Sequence, residues 1–186
     1  MPIEIEAKMA LDDVAGLRAR LSDAGAVRET SINEVNTYFD TADAALRRSD
    51  RGLRLRIETP EDGQRRAILT FKGPRAEGEL KTRPEHELVV NDGKDAKGFV
   101  EALGYQPRLT FEKHREVWHL GDCEIVIDQV PHLGHYVEIE GPSDDSVFAA
   151  RSSIGLDDQP LIKAGYISLL NDYLKRENIK TDYVGF

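Results

Sequence analysis

The segment Ile3-Glu4-Ile5-Glu6-Ala7-Lys8 sets two carboxylates and an ammonium at every second position, with apolar groups between them. On a β-strand successive side chains point to opposite faces, so Glu4, Glu6 and Lys8 fall in one polar row. Such a row is either a wetted sheet face or a polar interior. The same sorting recurs along the chain. Arg54 and Arg56 alternate with Leu53, Leu55 and Ile57, and Thr70 and Lys72 with Leu69 and Phe71. Lys81, Arg83, Glu85 and Glu87 share one face, as do Lys113 and Arg115. Glu124 and Asp128 oppose Ile125 and Ile127, and Glu138 and Glu140 oppose Val137 and Ile139.

Any one of these strands is explained by a solvated face carrying cross-strand ion pairs, each contributing about 1 kcal/mol or less. Clustering argues otherwise, because Glu4/Glu6, Glu85/Glu87 and Glu138/Glu140 repeat the E-x-E spacing and paired basic residues repeat beside them. If the sheet curls until its charged faces meet, both signs line one cavity. Like charges about 4 Å apart repel by roughly 4 kcal/mol at an effective dielectric near 20, so facing carboxylates protonate or take a cation between them. All-oxygen donors, with a single cysteine (Cys123) in the chain, point to Mg²⁺ or Mn²⁺ rather than Zn²⁺. Mg²⁺ keeps positions open for phosphate oxygens, and paired arginines are shaped to take the rest of a polyphosphate. The sorted charges thus describe a metal polyphosphate site.

The elements that must position these residues follow from periodicity. Helical stripes fall within residues 11–26 (Leu11, Val14, Leu17, Leu21, with Gly25 as a stop), 91–105 (Ala96, Phe99, Val100, Leu103), 144–155 and 163–177 (Tyr166, Leu169, Leu170, Leu174). Period-two segments occupy about 3–9, 34–40, 52–58, 66–73, 79–90, 110–120, 123–130 and 135–141. Eight strands, several joined by hairpin-like gaps, predict an α+β fold with a largely antiparallel sheet and helices packed on it.

The 186 residues, 40% hydrophobic and 32% charged, suit one globular domain. The net charge of −9 opposes duplex nucleic acid as a partner. The absence of an apolar run near 18 residues opposes a membrane partner. With no basic-then-apolar leader and one cysteine, the expected compartment is the cytoplasm. GPRAEGELKT lacks the Lys directly after the second Gly that a phosphate loop needs, and reads as a hairpin connection. His132 and His135 read as a turn, Asp144 and Asp145 as a helix start, Cys123 and Trp118 as packing residues, and Tyr38 with Phe39 as a packing pair that a substrate ring could also meet.

In order along the chain stand E-x-E-x-K (Glu4, Glu6, Lys8), YFD (Tyr38 to Asp40), LRLR, LTFKGP, R-x-E-x-E (Arg83, Glu85, Glu87), EKHR, the IDQV aspartate and LGHYVEIE. This ordered set resembles the CYTH superfamily, the triphosphate tunnel metalloenzymes. The resemblance runs to the GYISLL segment, and it is nearest to the class IV adenylyl cyclase branch.

It implies an eight-stranded antiparallel β-barrel forming a tunnel, with helices outside, in a single domain over 1–178 followed by a tail over 179–186. It implies Glu4, Glu6, Asp128, Glu138 and Glu140 as ligands of Mg²⁺ or Mn²⁺. Lys8, Arg54, Arg56, Lys72, Arg83, Lys113 and Arg115 would hold phosphates, Glu85 and Glu87 would complete the acidic wall, and Lys8, Lys72 and Arg115 would stand at the reacting phosphate. The implied reaction is conversion of ATP to cyclic AMP and pyrophosphate. The alternatives are hydrolysis of thiamine triphosphate, tripolyphosphate or a nucleoside triphosphate, and binding without turnover. A homodimer is the commonest assembly for such an enzyme.

Overall fold

The computed structural model describes residues 2–186. Its strands are β1 (Ile3–Leu11), β2 (Val27–Asp40), β3 (Gly52–Pro60), β4 (Arg66–Lys72), β5 (Lys81–Val90), β6 (Gln106–Leu120), β7 (Cys123–Val130), β8 (Gly134–Glu140) and β9 (Tyr183–Val184). Its helices are α1 (Val14–Asp23), α2 (Ala45–Arg48), α3 (Gly93–Ala102), α4 (Asp144–Ser153) and α5 (Tyr166–Arg176). The sheet runs β2-β3-β4-β5-β1-β8-β7-β6, and β6 pairs back onto β2. Each of these pairings is antiparallel. The eight strands therefore close into a barrel, which removes the exposed edges an open sheet would leave.

Closure gives every strand an inner and an outer row. The apolar rows of β1, β7 and β8 face outward, where Ala7, Met9, Ile125, Ile127, Val137 and Ile139 form a core with Leu17 and Leu21 of α1 and Val147, Ala150 and Ile154 of α4. Phe39 and Leu55 are covered by Val100 of α3 in the same way. The fourth long helix differs. The apolar face of α5, through Tyr166, Leu170 and Leu174, packs on Leu109, Phe111, Val130 and Tyr136. Those four residues share the inward parity of Lys113, Asp128 and Glu138, so α5 seals part of the interior rather than the outside.

The expected helices form, each shorter by its capping residues. Asp13, Asp92 and Ser143 accept backbone N–H groups at the starts of α1, α3 and α4. Gly25, at φ 82°, stops α1 in the left-handed region that glycine enters freely. Two strands begin earlier than the alternation suggests. β2 starts at residue 27 and β6 at 106, because the two pair over almost their full length, with register shifts at Arg28/Thr30 and Tyr38/Phe39. Those irregularities scramble the period-two signal where the pairing continues. The short α2 was not expected. Asp40 organises it by accepting from the backbone N–H groups of Thr41, Leu46 and Arg47 at 2.8–3.0 Å.

Cys123 is buried in the outer core, where burial, then Asp122, pushes its thiol up to about 11. His132 lies in the β7–β8 turn at φ 65°. The last residues lie along β6, with Tyr183 and Val184 parallel to Thr110 and Phe111 and Phe186 stacked on His114 at 3.9 Å. No helix among the described residues is long and apolar enough to cross a membrane.

Candidate functional site

The inward rows line one cavity of about 1320 Å³. Glu4, Glu6, Lys8, Arg54, Arg56, Lys72, Arg83, Glu85, Glu87, Lys113, Arg115, Glu138 and Glu140 all face it, from β1, β3, β4, β5, β6 and β8. Asp128 does not. It is fully buried in the wall beside Arg115, whose Nε and Nη2 donate to its two oxygens at 2.8 and 2.7 Å. Lys113 (3.2 Å) and the Tyr166 hydroxyl (2.9 Å) complete its partners. Tyr38 faces the cavity and stacks on Phe111 at 5.9 Å, whereas the Phe39 ring belongs to the core under α3.

One wall of the cavity is a basic belt. Arg115 also donates to Glu138 at 2.7 Å, and Lys8 pairs with the other oxygen of Glu138 at 3.0 Å. Arg56 approaches Glu58 at 3.0 Å and Glu87 at 3.3 Å. Arg54 donates to Thr70 at 3.2 Å, and its Nε has no hydrogen-bond partner. Arg83 is oriented by backbone, its guanidinium donating to the Gly73 and Asp50 carbonyls at 2.7 and 2.8 Å. A crowded acidic wall lies beside it on β1, β7 and β8, interleaved with the belt where Arg83 sits across from Glu4 and Lys8 across from Glu138. Glu6 and Glu124 both sit directly across from Glu140 on neighbouring strands. Glu4 pairs with Lys72 at 3.0 Å and Glu6 with Lys81 at 2.6 Å, while Lys72 also holds Glu85.

Electrostatics follow this division. Burial raises the pKa of Glu34, yet Lys113, Arg115, Arg56 and Arg54 outweigh it and hold the carboxyl far below its usual range. Glu138 is likewise lowered, because Lys8 and Arg115 overcome its burial. Lys8 is raised: burial opposes its charge, but Glu138 and Glu6 outweigh that. Glu140 moves the other way, up to about 7, through desolvation and then Glu4, Glu124, Glu6 and Glu85. Glu140 is exposed as a whole residue, so the neighbouring carboxylates are the firmer of these causes.

Several residues of the site were not picked out from the sequence. Glu34, 1% exposed, lies at the centre of the belt, 3.3 Å from Lys113 and 3.6 Å from Arg115. Its alternation with Val35, alongside Asn36 and Tyr38, carried the same signal as the other strands. Lys81 and Glu124 were visible on charged faces but assigned no role. Tyr166 had no such signal, since it sits in the apolar stripe of a helix. Its hydroxyl holds Asp128, and the ammonium groups of Lys8 and Lys113 lie 4.0 and 5.4 Å from its ring centre. Tyr166→Phe keeps the ring and removes the hydroxyl donor, and should cost about 1.5–3 kcal/mol in a denaturant titration, as for hydrogen bonds to charged groups.

The acidic wall also decides whether a hard divalent cation fits. Glu4, Glu6, Glu124, Glu138 and Glu140 supply only oxygen donors, and Glu6 Oε1 is buried without a hydrogen-bond partner. Among the described residues no three ligating side chains already converge on one ion-sized point, because Lys72 and Lys81 occupy Glu4 and Glu6. The donor chemistry and the excess negative charge both fit such an ion, with the lysines as the groups it would displace.

The model of the CYTH domain matches residues 2–154. A Methanocaldococcus jannaschii protein named as a putative adenylate cyclase is 31% identical over 143 residues, 77% of this chain and 79% of its own length. The Pyrococcus horikoshii protein PH1819 shares the fold, with a TM-score of 0.79 and 23% identity over 91% of this chain and 99% of its own. A Hippeastrum protein, described as a putative adenylyl cyclase with a dominant triphosphatase activity, superimposes with a TM-score of 0.69 and 16% identity, covering 91% of this chain and 96% of its own. The closed antiparallel barrel agrees with that fold, and the chain belongs to the CYTH family.

Proposed function

We propose that the protein is a divalent-metal-dependent enzyme that converts ATP to cyclic AMP and pyrophosphate inside the barrel. The observation that carries this reading is the meeting, in one cavity, of a basic belt and a crowded acidic wall, the latter marked by the raised Glu140. The relative named as a putative adenylate cyclase supports the choice of reaction.

Lys8, Arg54, Arg56, Lys72, Arg83, Lys113 and Arg115 bind the triphosphate. Phosphate oxygens take the place of Glu87 and Glu138 as partners of Arg54, Arg56, Arg115 and Lys8, turning carboxylate pairs into charge-assisted phosphate contacts. Glu4, Glu6, Glu138 and Glu140 would hold Mg²⁺ or Mn²⁺; Asp128 joins them only by giving up Arg115. Bound there, such an ion would supply charge neutralisation to the phosphates and favour an in-line displacement. The ribose 3′-hydroxyl gives its proton to water as it attacks the α-phosphorus, the bond to the bridging oxygen breaks, and Lys8, Lys72 and Arg115 stabilise the charge gathering on the departing pyrophosphate.

Hydrolysis is the second reading, because the same grip serves an attacking water and the Hippeastrum relative is described by its triphosphatase activity. The test is incubation of the protein with Mg²⁺ or Mn²⁺ and, separately, ATP, GTP, thiamine triphosphate and tripolyphosphate, with products separated by chromatography. Cyclic AMP with pyrophosphate is the expected result. Orthophosphate alone replaces it with the hydrolase reading, and binding without turnover overturns both.

A further inference from the structure

The inward rows are charged almost throughout; of their apolar exceptions Ile68 stands alone on β4 opposite Arg56, whereas three others meet. Ile32 stands two residues before Glu34 on β2, Val117 two beyond Arg115 on β6, and Val126 between Glu124 and Asp128 on β7. Pairing joins them, since Val117 lies directly opposite Val126, Ile32 opposite Arg115, and Val126 opposite Glu138. They form one cluster on the cavity wall, each 3–7% exposed. A second apolar cluster of the interior, around Phe111 and Tyr136, is sealed by α5. Among the described residues no further apolar side chain packs on Ile32, Val117 and Val126.

A polyphosphate chain gains nothing from three branched alkyl groups set beside Arg115. The volume of about 1320 Å³ also exceeds the ~300–1,000 Å³ common for pockets holding whole drug-sized ligands, so there is room for more than phosphates. We infer that Ile32, Val117 and Val126 form the subsite for the planar, weakly polar ring of an organic triphosphate. The ring lies against the alkyl groups while its phosphates run from Arg115 along the basic belt. This rests on the triphosphate reading and narrows it: the substrate is a nucleoside or other heteroaromatic triphosphate, not inorganic tripolyphosphate.

The experiment compares ligands that share a triphosphate and differ in the ring. Isothermal titration is run with ATP, thiamine triphosphate and ribose 5-triphosphate on the wild-type protein, Val117→Thr and Val126→Thr, with melting curves confirming the folded state. At least one ring-bearing ligand should bind the wild type about tenfold more tightly than ribose 5-triphosphate, the scale of small changes in an apolar pocket. Each Thr variant should lose most of that difference and leave ribose 5-triphosphate within twofold. If neither ring improves wild-type binding, the subsite is wrong even should the variants fail to fold. It is equally wrong if the Thr variants weaken all three ligands alike. If the wild type binds none of the three, the triphosphate reading itself fails.

Discussion

Asp128→Asn is expected to lower the melting temperature of the cation-free protein by about 10 °C, from about 3–5 kcal/mol lost on breaking a buried ion pair and 2–4 °C per kcal/mol at this chain length. The carboxylate is fully buried, and three neighbours donate to it: Arg115 through two nitrogens, Lys113, and the Tyr166 hydroxyl. Asparagine keeps the shape but offers one acceptor oxygen and turns an NH₂ toward positive groups. Arg115 and Lys113 would then rest on Glu34 and Glu138 alone. Thermal melting without divalent cation separates this from the role implied by family resemblance. An Asp128 that served chiefly as a metal ligand would leave the cation-free melting point nearly unmoved and weaken cation binding instead. The structure favours the first outcome, and the residue would then act on phosphates through the orientation of Arg115.

The placement of Asp128 shows where the sequence was legible and where it was not. Period-two sorting identified the inner row of β1, β3, β5 and β8 residue by residue, because a strand face has a local signature that survives in one dimension. It could not distinguish Asp128 from Glu138, two inward carboxylates on adjacent strands. Their difference depends on α5, whose Tyr166 arrives from far along the chain to occupy one and not the other. Glu34 was legible in principle, at the head of the 34–40 alternation, but Asn36 and Tyr38 carry no charge to mark its row as one with the others. The apolar residues Ile32, Val117 and Val126 looked like ordinary core positions, since only closure of the barrel tells which apolar parity faces inward. The Gly25 stop and the His132 turn were legible, as their physics is confined to a few neighbouring residues, whereas the N-caps Asp13, Asp92 and Ser143 were not picked out.

The second large effect concerns pH and divalent cations, and two limbs of opposite sign compose it. Glu34 and Glu138 have folded pKa values below their ordinary 4.5. Both therefore stabilise the fold above about pH 4.5 and lose that contribution as pH falls toward their folded values. Glu140 is raised to about 7, so the folded state holds a proton between pH 4.5 and 7 that the unfolded chain has released. Its contribution is favourable at low pH and is lost as pH rises through 7. Cation-free stability should thus climb from acid toward pH 5 and then decline toward pH 8. A divalent cation that binds ionised Glu140 reverses the second limb. At about a hundredfold excess over its Kd it should add about 2.7 kcal/mol, raising the melting temperature by about 5–10 °C at pH 8. At pH 5.5, where Glu140 keeps its proton, the gain should shrink. Glu140→Gln should remove the decline above pH 5 and most of the cation-induced gain together. A cation shift of equal size at both pH values, or one unaltered in Glu140→Gln, would place the ion away from the acidic wall and detach the raised Glu140 from any metal role.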